Sequence, residues 1–205
     1  MPRRLLPAAV ATLSTLSLLT ACTGSPEAGR PNTTPTSPSP TSSPAPTPSA
    51  PSTPTWSADE QAAITAATAQ YLAARAAAGR ALQKPEGVRS PVLEAAGNGG
   101  AWLESILERL DFFTRNGLYQ TGTSKISSTA PSSVNLKAEQ PTVVLKSCID
   151  GTGVQMRYRS TGKPVPVAST VGGGKHGISA RLVYSANAAG KKMWFLIEEK
   201  AAGAC

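Results

Sequence analysis

Three stretches of the chain differ in how apolar and polar positions alternate. Leu5 to Leu19 form an uncharged, largely apolar run that follows Arg3 and Arg4. A permanent membrane helix needs about 20 apolar residues. A basic start followed by a shorter apolar centre predicts a secretory signal over residues 1–21. Thr23 to Thr55 carry no large apolar side chain and consist mainly of Pro, Ser, Thr and Ala. Such a stretch cannot offset the entropy of ordering itself, so residues 22–55 are expected to be a disordered tether. Its prolines favour extended polyproline II structure, which at about 3.1 Å per residue gives a reach on the order of 100 Å.

Regular periodicity begins at Trp56, and residues 56–205 are expected to form one folded domain. Ser57-Ala58-Asp59-Glu60 reads as a capping box, in which the Ser57 hydroxyl and the Glu60 carboxylate satisfy free N–H groups. An Ala-rich helix follows, with Ile64, Ala67, Tyr71, Leu72 and Ala78 near one face and Gly79 as its expected stop. A second helix is predicted from Gly100 to Arg115, where Trp102, Leu103, Ile106, Leu107, Leu110 and Phe113 recur at spacings of three and four. Pro91 to Ala96 fits a short helical turn between them.

After Gly117 the period shortens toward that of strands. Leu118 to Ser128 reads as extended, and Val134 to Lys137 alternates. Thr142 to Ile149 and Val154 to Arg159 flank Asp150-Gly151-Thr152-Gly153, which predicts a hairpin. Ile178 to Ser185 and Lys192 to Glu199 predict a second hairpin, turning at Asn187 to Gly190. Helices first and antiparallel strands afterwards indicate an α+β fold, with the N-terminal helices against one face of a curved sheet.

Cysteines and charge add chemistry to this outline. Leu19-Thr20-Ala21-Cys22 resembles the lipobox of bacterial lipoproteins. The resemblance implies that Cys22 receives a diacylglyceryl group and becomes the mature N-terminus, on the outer face of a cell membrane. Two acyl chains give stable anchoring where one would be marginal. Cys148 and Cys205 are then the remaining pair of the three cysteines, and outside the membrane such a pair is expected to be joined. Two thiols and the single histidine, His176, make a poor metal site, and neither a metal nor a cofactor is expected.

The charge is uneven along the domain. Residues 57–120 hold six bases and seven acids, whereas residues 121–205 hold eleven bases and four acids. In the envelope, the polyanions available to a basic sheet are wall polymers and lipid headgroups, not nucleic acid. Lys146, Arg157 and Arg159 are expected to share a face of the first hairpin and offer an anion-contact surface.

The domain also resembles a group of actinobacterial secreted proteins and lipoproteins that carry a nuclear transport factor 2-like domain. The resemblance rests on Gly117-Leu118 with Gly122, Val143-Val144-Leu145, Cys148-Ile149-Asp150, Thr161-Gly162-Lys163-Pro164-Val165, Trp194 and the terminal Cys205. It implies a cone in which helices pack inside a bent sheet, often around a pocket, and implies no activity. The chain departs from the pattern expected for that group between Ala168 and Gly177, where Gly172-Gly173-Gly174-Lys175-His176-Gly177 replaces a plainer strand.

Catalytic chemistry finds little support in the sequence. His176 lies among glycines with no orienting carboxylate, and Gly172 to Gly177 lack the spacing of a phosphate-binding loop. An isomerase-like pocket needs a carboxylate base together with an acidic donor. Asp150 is expected at a turn, Glu139 in a loop, Asp111 on the solvated face of the second helix, and Glu198 and Glu199 near the chain end without clean inward alternation. Tyr119 and Tyr158 read as strand packing. The expected function is therefore a non-catalytic domain that binds an unidentified small molecule or partner in the envelope. An isomerase- or hydratase-like enzyme and an accessory structural lipoprotein are the competing classes.

Overall fold

The computed structural model describes residues 55–166 and 174–205. The expected signal peptide, the tether and Cys22 lie outside them. Within them the fold is α+β: helices α1 (Ala58–Gln83), α2 (Ser90–Ala95) and α3 (Gly100–Arg115), followed by six strands. These are β1 (Leu118–Thr121), β2 (Lys125–Asn135), β3 (Thr142–Asp150), β4 (Gln155–Tyr158), β5 (Lys175–Ala186) and β6 (Lys192–Ala201). All strand pairs are antiparallel. One sheet has the order β2-β3-β5-β6, and β1 pairs with β4 in a separate two-stranded ribbon.

α1 starts where the capping box placed it. Ser57 accepts from the Glu60 N–H, and the Glu60 carboxylate accepts from the Ser57 N–H at 2.9 Å. The helix does not stop at Gly79 but runs on to Gln83. A mid-helix glycine costs about 1 kcal/mol relative to alanine. Beyond it Ala81 and Leu82 are buried against Leu93, Leu103, Ile106 and Leu110. Each fully buried leucine contributes about 1.5–3 kcal/mol, so burial outweighs the glycine.

The middle of α1 supplies Ala67, Tyr71 and Ala74 to a core formed with Val143 and Leu145 of β3, Leu182 of β5, and Trp194 and Leu196 of β6. These strand residues define the inner face of the four-stranded sheet. The exposed edge of β6 is covered by the chain entering α3. Gly99 donates to the Leu196 carbonyl at 2.9 Å, and Leu196 donates to the Gly97 carbonyl at 2.8 Å. Pairing the edge in this way hides backbone groups that would otherwise invite another strand.

The expected hairpin of residues 142–149 with 154–159 does not form. β3 lies between β2 and β5, while β4 leaves the sheet to pair with β1. The turn chemistry itself is present: Asp150 Oδ1 accepts from the Thr152 N–H at 3.0 Å and from its hydroxyl at 2.6 Å. Beyond that turn the chain passes so close to Gly122, at φ 72°, that a Cβ there would collide with the Gly153 carbonyl. A turn motif fixes a local reversal but not which strand the chain joins next. The second expected hairpin is present as β5 and β6, with Asn187 Oδ1 accepting from the N–H groups of Ala189 and Lys191.

Cys148 and Cys205 are joined, with their Cα atoms 5.8 Å apart. The C-terminal residues reach Cys148 by running alongside β5, where Gly177 donates to the Gly203 carbonyl and accepts from the Ala202 N–H. A Cβ at Gly177 would stand 3.2 Å from the Gly203 carbonyl oxygen, so glycine there gives the tail its path. The bridge spans 57 positions, and the chain-entropy argument caps its stabilisation at roughly 4 kcal/mol. Cys205→Ser is therefore expected to lower the unfolding free energy by up to that amount in urea titrations. An unchanged midpoint would show that the tail adds nothing to the sheet.

Candidate functional site

The polar groups enclosed by the domain converge where α1 crosses the inner face of the sheet. Strand alternation places Trp194 and Leu196 inward, and unbroken alternation would put Glu198 there next. A register shift changes this: Leu182 pairs with Leu196, whereas the preceding Arg181 pairs with Glu198, leaving Ile197 as the extra residue of a β-bulge. Bulges re-aim the side chains that follow them. Glu199 consequently faces the fully buried Ala180 on the inner side, while Glu198 faces Arg181 on the outer side.

Glu199 meets Arg75 from α1. The guanidinium Nη1 donates to both carboxylate oxygens at 2.7 and 2.6 Å, and both side chains are largely hidden, at 16% and 11% exposure. The Arg75 guanidinium also stands 5.6 Å from the centre of the Trp102 ring, whose indole N–H donates to Asn98 Oδ1 at 2.8 Å. Burial raises the Glu199 pKa above the ordinary glutamate value, and the positive charge of Arg75 works against that rise. Beside this pair lies Tyr71, fully buried, with a hydroxyl that has no hydrogen-bond partner among the described residues. Ser147 and Arg75 are its polar neighbours, and Ser147 shares a 3.0 Å hydrogen bond with Thr129. Burial, aided by the Glu199 carboxylate, pushes the Tyr71 phenol up to about 12.

Arg75 connects this cluster to a cleft of about 360 Å³ between the second half of α1 and the start of β2. Leu72, Ala76 and Ile126 form its apolar wall, and Arg80, Gln83 and Ser124 its polar rim. A ligand seated there would meet a hydrophobic surface with a guanidinium at its inner end. Among the described residues, no group of three or more His, Cys, Asp and Glu side chains could hold a metal ion.

The expected anion-contact residues are not brought together. Lys146 lies on β3 of the four-stranded sheet, whereas Arg157 and Arg159 lie on and just after β4 of the ribbon. Arg157 donates to the Gly162 carbonyl at 2.7 Å and to Gln155 Oε1 at 2.6 Å, and Arg159 pairs with Glu86. Arg157 thus ties β4 to the turn that follows it, and Arg159 ties the end of β4 to the connection between α1 and α2. Asp111 is exposed and pairs with Arg115, and Glu139 is exposed between β2 and β3. Tyr119 sits on β1 opposite Arg157, and Tyr158 is exposed at the end of β4. His176 is exposed near the start of β5, with Nδ1 3.1 Å from the Gly174 carbonyl.

No family model matches the sequence, and no curated protein matches it. Among solved structures, the chain is similar to the intermembrane space region of the chloroplast protein ARC6, with 12% identity and a TM-score of 0.45. That match covers 71% of this chain and 98% of the other.

The buried phenol gives a pH signature. Between its ordinary value of 10 and about 12, the unfolded chain releases the Tyr71 proton while the folded chain keeps it. The native state then binds more protons, so stability falls as pH rises through that window. Tyr71→Phe is expected to flatten that part of the urea-stability profile and to cost little at neutral pH. An identical alkaline slope in the variant would place the phenol in contact with water.

Proposed function

We propose that this protein is an exported lipoprotein, held on the outer face of a cell membrane through a lipid on Cys22, whose domain binds a ligand or partner without catalysing a reaction. The short apolar run behind Arg3 and Arg4, the lipobox-like ending at Cys22 and the Pro/Ser/Thr tether support export and anchoring. The joined Cys148 and Cys205 fit the oxidising compartment that this address requires. No helix among the described residues is long and apolar enough to cross a membrane. We read the domain as a cone of the nuclear transport factor 2-like type. α1 against the inner sheet face and the bulges that bend β2 and β6 support that assignment.

The observation that carries the non-catalytic reading is the state of Glu199. It is the inward-facing carboxylate of the sheet, and Arg75 engages both of its oxygens. A general base needs a lone pair within reach of a substrate proton. Here both oxygens are held in an ion pair, Glu199 does not line the cleft, and its side chain is only 11% exposed. Tyr71 keeps its proton far above neutral pH and is sealed from the cleft by full burial. The arrangement suits holding a molecule through apolar contact and a guanidinium better than transforming one.

Fractionation of cells that express the full chain tests the anchoring on which this reading depends. Cys22→Ala is expected to move the protein from the membrane fraction to the soluble exported fraction. Retention of the variant in membranes would refute the lipid anchor.

A further inference from the structure

The outer face of the four-stranded sheet carries a feature that the ligand cleft does not use. Toward the β5–β6 turn this face is apolar and buried, with Val183 and Phe195 near the entry to α3. Its other half is open and basic. Lys146 on β3 and Lys200 on β6 both stand opposite Ser179, which lies between them on β5. Strands lie about 4.8 Å apart, so these two ammonium stems rise roughly 10 Å from each other. Arg181 and Lys200 share one carboxylate, Glu198, at 3.4 and 2.9 Å. In the row at the sheet's end, Lys125 and Lys175 flank Asp150 in the same two-to-one ratio. Lys146 is exposed and has no ion pair among the described residues.

The same half is lined by the small side chains of Ser128, Ala130 and Ser133 on β2 and Ser179 on β5. It is therefore free of bulky side chains on β2, rich in hydroxyl donors and positively charged. The acidic side chains Glu104, Glu108 and Asp111 lie instead on the exposed face of α3. The large exposed aromatic residues, Phe112, Tyr158 and Tyr184, belong to α3, to β4 and to the inner register of β5. Without aromatic rings the basic half cannot stack bases, as single-stranded nucleic acid requires. It also lacks the large apolar side chains that would enter a bilayer interface. Charge and hydroxyl groups without large apolar or aromatic neighbours suit a partner recognised by its anionic groups alone.

We propose that the basic half of the outer sheet face, centred on Lys146, Arg181 and Lys200, docks a phosphodiester-bearing polymer of the cell envelope. The proposal takes its envelope setting from the reading above, but polymer binding is measured on purified protein and does not depend on where the protein resides. Exposed contacts of this kind are individually weak and act together, and salt screens them.

The test uses the full chain carrying Cys22→Ala and purified poly(glycerol phosphate) as the probe. The variant Lys146→Gln/Arg181→Gln/Lys200→Gln is compared with Lys84→Gln/Arg89→Gln/Lys163→Gln, which removes the same charge from other exposed positions. Equal melting temperatures of the two variants establish that both are folded. Binding is expected to fall at least about tenfold in the sheet variant and less than about twofold in the control, and to weaken steeply with added salt. An equal loss in both variants would reduce the effect to net charge and overturn the proposal. Binding only to phosphatidylglycerol vesicles, with none to the polymer, would overturn it in favour of a lipid surface.

Discussion

A carboxylate that leaves water must be met by a cation or lose its charge, and this requirement organises the interior of the domain. Glu199 is carried inward by the bulge at Ile197, and Arg75 rises from α1 to meet it. Shifting that register by one residue would turn Glu199 out to solvent and leave the Arg75 guanidinium beside Trp102 and Tyr71 without a counter-charge. Taking two charges out of water is costly, and their attraction repays it only when the geometry is good. The pair therefore ties three features together: the position of α1 along the sheet, the register of the last strand, and the polar end of the cleft.

The last strand is held at its middle and beyond its end by different means. Midway along it, at Leu196, the Gly97–Gly99 segment pairs with its edge, and beyond its end the Cys148–Cys205 bridge returns the tail to β3. Between these points the ion pair sets which side chains face in. An edge strand with so few strand neighbours would otherwise fray. The result is a sheet with two distinct surfaces, one enclosing a mixed apolar and ionic interior and the other presenting lysine, arginine and serine to the surroundings.

Most of the helical part of this architecture is written locally in the chain. Ser57 and Glu60 mark the start of α1, Asn116 and Gly117 mark the end of α3, and the spacing from Trp102 to Phe113 specifies the face that α3 buries. The hairpin of β5 and β6 is equally local, because Asn187 supplies its own turn. The partners of β3 and β4 are not legible, since pairing with β2, β5 and β1 depends on contacts distant in sequence. Gly79 misleads for the same reason: tertiary burial of Ala81 and Leu82 continues a helix that local preference would end. The interior site is hidden by a single extra residue. Alternation counted from Trp194 points to Glu198, and nothing in the letters Leu-Ile-Glu-Glu announces the bulge that selects Glu199 instead. Charge draws notice to Lys146 in the sequence but groups it with Arg157 and Arg159; that Arg181 and Lys200 share its face emerges only once the strand order is known.

A double-mutant cycle on Arg75→Met and Glu199→Leu, measured by urea unfolding, addresses the coupling of helix to strand most directly. Each single change strands a largely buried charge, whereas the double change replaces the pair with apolar groups. The expected coupling energy is on the order of 1–3 kcal/mol, with the double variant destabilised by less than the sum of the singles. Effects that simply add would contradict the account and leave the inward turn of the last strand without its electrostatic cause.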